Sequence, residues 1–129
     1  MRANSIPAFL KQFIHDHINS VEQLEVLLLL RSDRKWWSAF EVSTRLFTTE
    51  SSAAMRLIDL YDANFLQMKR ENGEPLYRYE PPESSADDTI GALDRAYRER
   101  KDSIIQIIFS PPSNRARSFA DAFLLRRHD

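Results

Sequence analysis

Apolar residues recur along this chain with a period that is first helical, then alternating, then helical again. Pro7 to Ile18 reads as a short amphipathic helix, with Phe9, Phe13 and His17 down one side and Leu10, Ile14 and Ile18 beside them. Ser20 is an N-cap, with Gln23 at the third helical position to complete a capping box. The helix it opens, Val21 to about Arg31, carries Leu24, Val26, Leu27, Leu28, Leu29 and Leu30. A helix apolar nearly all round is expected at the centre of a core. After a polar break, Ser38 and Glu41 form a second capping box, opening a helix over Ala39 to Leu46 with Val42 and Leu46 inward. Thr48 or Thr49 then caps a third helix, in which Ala53, Ala54, Leu57, Leu60 and Tyr61 share a face. Asn64 suits the left-handed residue that ends it.

Phe65 to Met68 reads as a strand and Leu76 to Tyr79 as its return, with Asn72-Gly73 as the hairpin signal between them. Pro81-Pro82 ends the pair, because proline donates no ladder hydrogen bond. Glu83 to Ala86 reads as a linker. Asp87 to Phe109 reads as one long helix with Ile90, Leu93, Tyr97, Ile104 and Ile107 along an imperfect seam, Arg100 being its polar interruption. Ser110-Pro111-Pro112 breaks it, and a last helix is expected near Asn114 to Arg127, carrying Phe119 and Phe123. The predicted fold is mainly α with a small β-wing: residues 1–82 as one unit, 83–129 as a helical extension for dimerisation or partner binding. It requires Leu24, Val42, Leu57 and Leu66 to meet in one dry centre.

Composition narrows the chemistry. The 129 residues are 43% hydrophobic and 29% charged, which suits one globular domain with a real core. There is no cysteine, so disulfides and thiolate metal sites are excluded. The two glycines allow neither a phosphate-cradling loop nor a nucleophile elbow, and no acid or hydroxyl sits at a spacing that identifies a catalytic dyad. No catalysis is expected, and no cofactor. His15-Asp16-His17 is the one metal-like cluster, but neighbours two apart on a helix diverge, so no metal is expected either. Trp36-Trp37 reads as packing, one indole beneath the wing and the other half exposed. No secretory signal or membrane span is visible, and a soluble cytoplasmic protein is expected.

The order helix, short helix, helix, Asn-Gly hairpin over Ser20 to Pro82 resembles the winged helix-turn-helix domains of bacterial MarR-like and PadR-like transcription regulators. The phrase Leu57-Ile58-Asp59-Leu60-Tyr61-Asp62-Ala63-Asn64-Phe65-Leu66 is similar to the end of their recognition helix, with Asn64 where glycine is usual. The resemblance implies that the third helix enters the major groove of duplex DNA, that the wing touches its backbone, and that terminal helices form a homodimer. On that expectation the DNA-binding residues are Arg45, Ser51, Ser52, Met55, Arg56, Lys69 and Arg70. The dimer or partner interface is Ile90, Leu93, Tyr97, Ile104, Ile107, Phe119 and Phe123.

The alternative is a winged helix that binds protein. A net charge of −1 and a pI near 6.3 are unusual for a strong nucleic-acid binder. Asp59 and Asp62 on the third helix would face phosphates, and Met55 and Ile58 beside them suit a protein partner. The segment Arg115 to Arg127, with apolar anchors among four arginines, has the pattern of a helix that docks in a groove.

Overall fold

A computed structural model describes residues 5–110. Helix α1 spans Ala8–His17, α2 Val21–Ser32, α3 Ala39–Leu46 and α4 Glu50–Asp62. Strands β1 (Leu66–Glu71) and β2 (Glu74–Tyr79) follow, then helices α5 (Ser84–Glu99) and α6 (Lys101–Phe109).

The helix starts follow local chemistry. The Gln23 N–H donates to Ser20 Oγ at 3.0 Å, but the Gln23 side chain takes the N–H of Asn19 at 2.6 Å, so that box closes one residue early. On α3 both halves of the box are present: Glu41 N–H to Ser38 Oγ and Ser38 N–H to the Glu41 carboxylate, each 3.1 Å. Thr49, of the two candidate threonines, caps α4. Asn64 ends α4 at φ 72, and the Phe65 N–H returns to the Leu60 carbonyl at 3.0 Å. Without that return the last turn would leave its carbonyls bare.

The hairpin is longer than the hydrophobic alternation suggests. Asn72 and Gly73 both take positive φ (54 and 82), as a two-residue type I′ turn requires. Antiparallel pairing therefore runs through the polar residues, from Leu66↔Tyr79 to Glu71↔Glu74. Trp37 adds a third short rung: its N–H donates to the Tyr77 carbonyl at 2.7 Å and its carbonyl accepts the Tyr77 N–H at 2.8 Å.

Leu24, Val42, Leu57 and Leu66 are buried in one cluster with Leu27, Leu30, Trp37 and Tyr77. Here the helix expected over Asp87–Phe109 departs from the structure. It starts earlier, at Ser84, so the linker is shorter than Glu83 to Ala86, and it breaks at Arg100, whose φ −139 and ψ 58 lie outside the helical region. The break falls where the apolar seam meets its charged residue and lets α6 pack on α1 as well as on α5.

The seam itself is internal. Ile90, Leu93 and Ile104 are fully buried and Tyr97 nearly so, all in the chain's own core, and Ile107 packs partly against it. An interface through the first four side chains is therefore corrected: burial here has already removed them from any partner. Polar ties lock α5 in place. The Tyr97 hydroxyl donates to Glu25 at 2.7 Å, and Asp87 accepts from the Tyr79 hydroxyl at 2.6 Å and from Arg31 Nε at 3.1 Å. Gly91 gives that arginine room, since a Cβ there would lie 2.7 Å from Arg31 Nη2. Phe119 and Phe123 lie outside the described residues, as does the last expected helix. No described helix is long and apolar enough to cross a membrane.

Candidate nucleic-acid interface

Helix α4 buries Ala53, Leu57 and Leu60 and turns its other side outward. At about 100° per residue, Ser51, Met55, Ile58 and Asp62 make one outward stripe, with Tyr61 at its edge and Glu50 and Asp59 on its two flanks. Met55 is 56% exposed, Ile58 48% and Tyr61 40%.

Two residues expected to read DNA do not sit on that stripe. The Ser52 hydroxyl donates to Glu22 Oε1 at 2.5 Å, and the Thr48 hydroxyl donates to Glu22 Oε2 at the same distance. Arg56 Nε lies 3.6 Å from the same carboxylate, and its Nη1 lies 3.7 Å from Asp59. The Arg56 side chain is only 19% exposed. Glu22, on α2, thus gathers the side of α4 that carries Ser52 and Arg56. The hydrogen bonds from Ser52 and Thr48, helped by Arg56, hold the Glu22 carboxyl below the ordinary range. Since Arg56 is the only cation in α4, the outward stripe carries carboxylates and no positive charge.

The exposed cations lie elsewhere. Lys35 Nζ sits 4.3 Å from the Trp37 ring centre and the Arg45 guanidinium 5.4 Å from it. Lys69 and Arg78 each lie over the ring of Trp36, at 4.7 and 4.5 Å from its centre. Arg70, near the hairpin tip, donates to the Gly73 carbonyl at 3.1 Å. Trp37 itself is buried, its indole N–H given to the Asp33 carbonyl at 2.8 Å. A shallow hollow of about 250 Å³ opens beside it, lined by Lys35, Phe40, Glu41, Thr44 and Arg45. Acids temper this charge: Lys35 pairs with Glu41, Lys69 with Glu71 and Arg78 with Glu80. Arg45 and Arg70 make no ion pair among the described residues.

No family model matches the chain, and no curated protein matches it in sequence. Solved structures do. MepR of S. aureus, a mutant bound to an oligodeoxyribonucleotide, superposes with a TM-score of 0.54 at 12% identity, over 94% of this chain and 88% of that one. BpsR of Bordetella bronchiseptica, whose DNA binding is regulated by 6-hydroxynicotinic acid, gives 0.51 at 20% identity, over 95% and 84%. A MarR family protein from Bacillus stearothermophilus gives 0.50 at 13% identity, over 94% and 84%. The fold is the winged helix of MarR-family regulators.

In this winged helix, α3 and α4 are the helix-turn-helix and β1–β2 the wing. Of the residues expected at DNA, Arg45, Lys69 and Arg70 lie on α3 and the wing, Ser51 and Met55 on the outward stripe, and Ser52 and Arg56 against Glu22. Sequence reading missed Glu22 as their organiser. Nothing in a glutamate on the first turn of an apolar helix announces a partner 30 residues away. It also passed over Lys35, whose place beside Trp37 depends on the strand rung to Tyr77. Phe47, at 95% exposure and φ 57 in the helix-turn-helix turn, did have a signal: an aromatic where a turn calls for glycine or asparagine. Among the described residues no group of three or more side chains could hold a metal ion; His17 instead packs at a tilt against Phe13 and edge-on to Phe65.

Proposed function

We propose that this chain is a winged-helix regulatory module, a binder and not a catalyst, that holds duplex DNA through its phosphates. The cations gathered on α3, beside Trp36-Trp37 and on the wing carry the reading: Lys35, Arg45, Lys69, Arg70 and Arg78. Such contacts position a protein on a duplex without reading sequence. Helix α4 contributes little base readout in this account, because it presents Met55, Ile58 and carboxylates where base recognition uses Arg, Lys, Asn or Gln. Likeness to MepR and BpsR supports DNA as the ligand class.

Three to five phosphate contacts predict a slope of roughly −3 to −4.5 in log K against log salt, hence weak binding near physiological ionic strength. Mobility shift of a random duplex at about 50 mM salt tests this. Arg45→Ala, Lys69→Ala and Arg70→Ala should each weaken the complex, whereas Arg56→Ala should leave it unchanged, because Glu22 already holds that guanidinium. Absence of any retarded band at low salt contradicts the reading.

The module also works as a homodimer in this proposal, in the cytosol where its DNA lies. Phe9 on α1 and Phe109 on α6 are 55% and 75% exposed, on two helices that pack together, and Ile107 precedes Phe109 on α6. These, with Phe119 and Phe123, replace the buried seam as the pairing surface. Light scattering should give twice the 15.1 kDa chain mass; a monomer at micromolar concentration contradicts it.

A further inference from the structure

The outward stripe of α4 has chemistry that DNA does not want and a solvent-facing helix does not need. Met55 and Ile58, three apart, are both about half exposed, and Tyr61 extends the apolar surface along the next turn. Glu50 stands on one flank and Asp62 at the C-terminal end, while Asp59 on the other flank is shared with Arg56. Three residues before α4, Phe47 stands almost wholly in water on a backbone in the left-handed region. A phenylalanine gains nothing for the fold there, because it buries no surface and strains its own backbone. An apolar strip framed by one sign of charge complements a partner with the same strip framed by the other.

From this geometry we infer that the α4 face, with Phe47 beside its start, docks an amphipathic helix of another protein, one that carries lysines or arginines along an apolar stripe. The cations on α3 and the wing occupy different side chains, so the inference does not depend on DNA binding. Helix-in-groove recognition uses apolar anchors at i, i+4 and i+7. On the receiving side, α4 offers Met55 and Ile58, three residues apart and both exposed, with Tyr61 on the next turn, as the apolar surface such anchors would meet.

The test uses the full chain and two labelled synthetic helical peptides, with leucines at i, i+4 and i+7 in both. One is flanked by arginines and the other by glutamates at the same positions. Anisotropy titrations should show the arginine peptide binding at least tenfold more tightly. Met55→Ser and Ile58→Ser, both at exposed positions, should each weaken it severalfold with unchanged circular dichroism and unchanged duplex retardation by the wing cations, and Asp62→Lys should weaken the peptide without weakening duplex retardation. Phe47→Gly should weaken it too. Equal binding of the two peptides, no binding of either, or full binding by the four variants overturns the inference.

Discussion

Glu22 shows what one carboxylate can decide. It accepts hydroxyl hydrogen bonds from Thr48 and Ser52 and draws in Arg56, and so fixes which side of α4 faces α2. Hydrogen bonds to an ionised acceptor are worth about 1.5–3 kcal/mol each where well shielded, so Glu22→Gln should destabilise the fold by roughly 1–2 kcal/mol at neutral pH. The pH dependence has a definite sign. The folded pKa is lowered from 4.5 by the Ser52 and Thr48 hydrogen bonds, so the carboxylate's contribution is complete above that value. It is lost as pH falls through the folded pKa. Urea denaturation from pH 7 to 3 should therefore show Glu22→Gln and the natural chain converging in acid; a gap that stays constant contradicts the assignment. None of this was legible in the sequence. Ser52 and Arg56 are residues that DNA contacts favour, and only the pairing of α2 with α4 reveals that a carboxylate engages them first.

Elements were legible where local chemistry sets them. Capping residues marked the starts of α2, α3 and α4, and Asn72-Gly73 marked the hairpin, because those signals act within a few residues. The strands ran longer than their apolar alternation, since backbone pairing carries through Lys69–Glu71 and Glu74–Leu76 whatever the side chains. The split of α5 from α6 was visible only as a polar residue in a seam, which does not say whether a helix bends, breaks or exposes that residue. The α3–α4 turn is a further case of an element set against local preference. Phe47 at φ 57 and ψ 46 carries a β-carbon in the left-handed region, which costs roughly 1–2 kcal/mol. Phe47→Gly should stabilise the chain by about 1 kcal/mol, read as a higher urea midpoint at constant m. A lower midpoint would mean that the ring supports the fold despite its exposure.

Among the described residues, the helix-turn-helix and wing present two kinds of surface. Cations ride on Trp36, Trp37 and the wing, while α4 shows apolar side chains between acids. Both halves hang on one core, in which Leu57 of α4, Leu66 of the wing and Ile90 of α5 are buried together. The Tyr79–Asp87–Arg31 tie joins the wing to α5 and α2, so the wing is placed by buried contacts rather than by its own two strands. The most direct test of this division is an amide and indole NMR titration of the full chain with a short random duplex at low salt. Shifts should gather on Arg45, Lys69, Arg70 and the Trp36 indole and pass over Ser51, Met55 and Ile58. Shifts centred on the outward stripe of α4, with the wing unmoved, would contradict it.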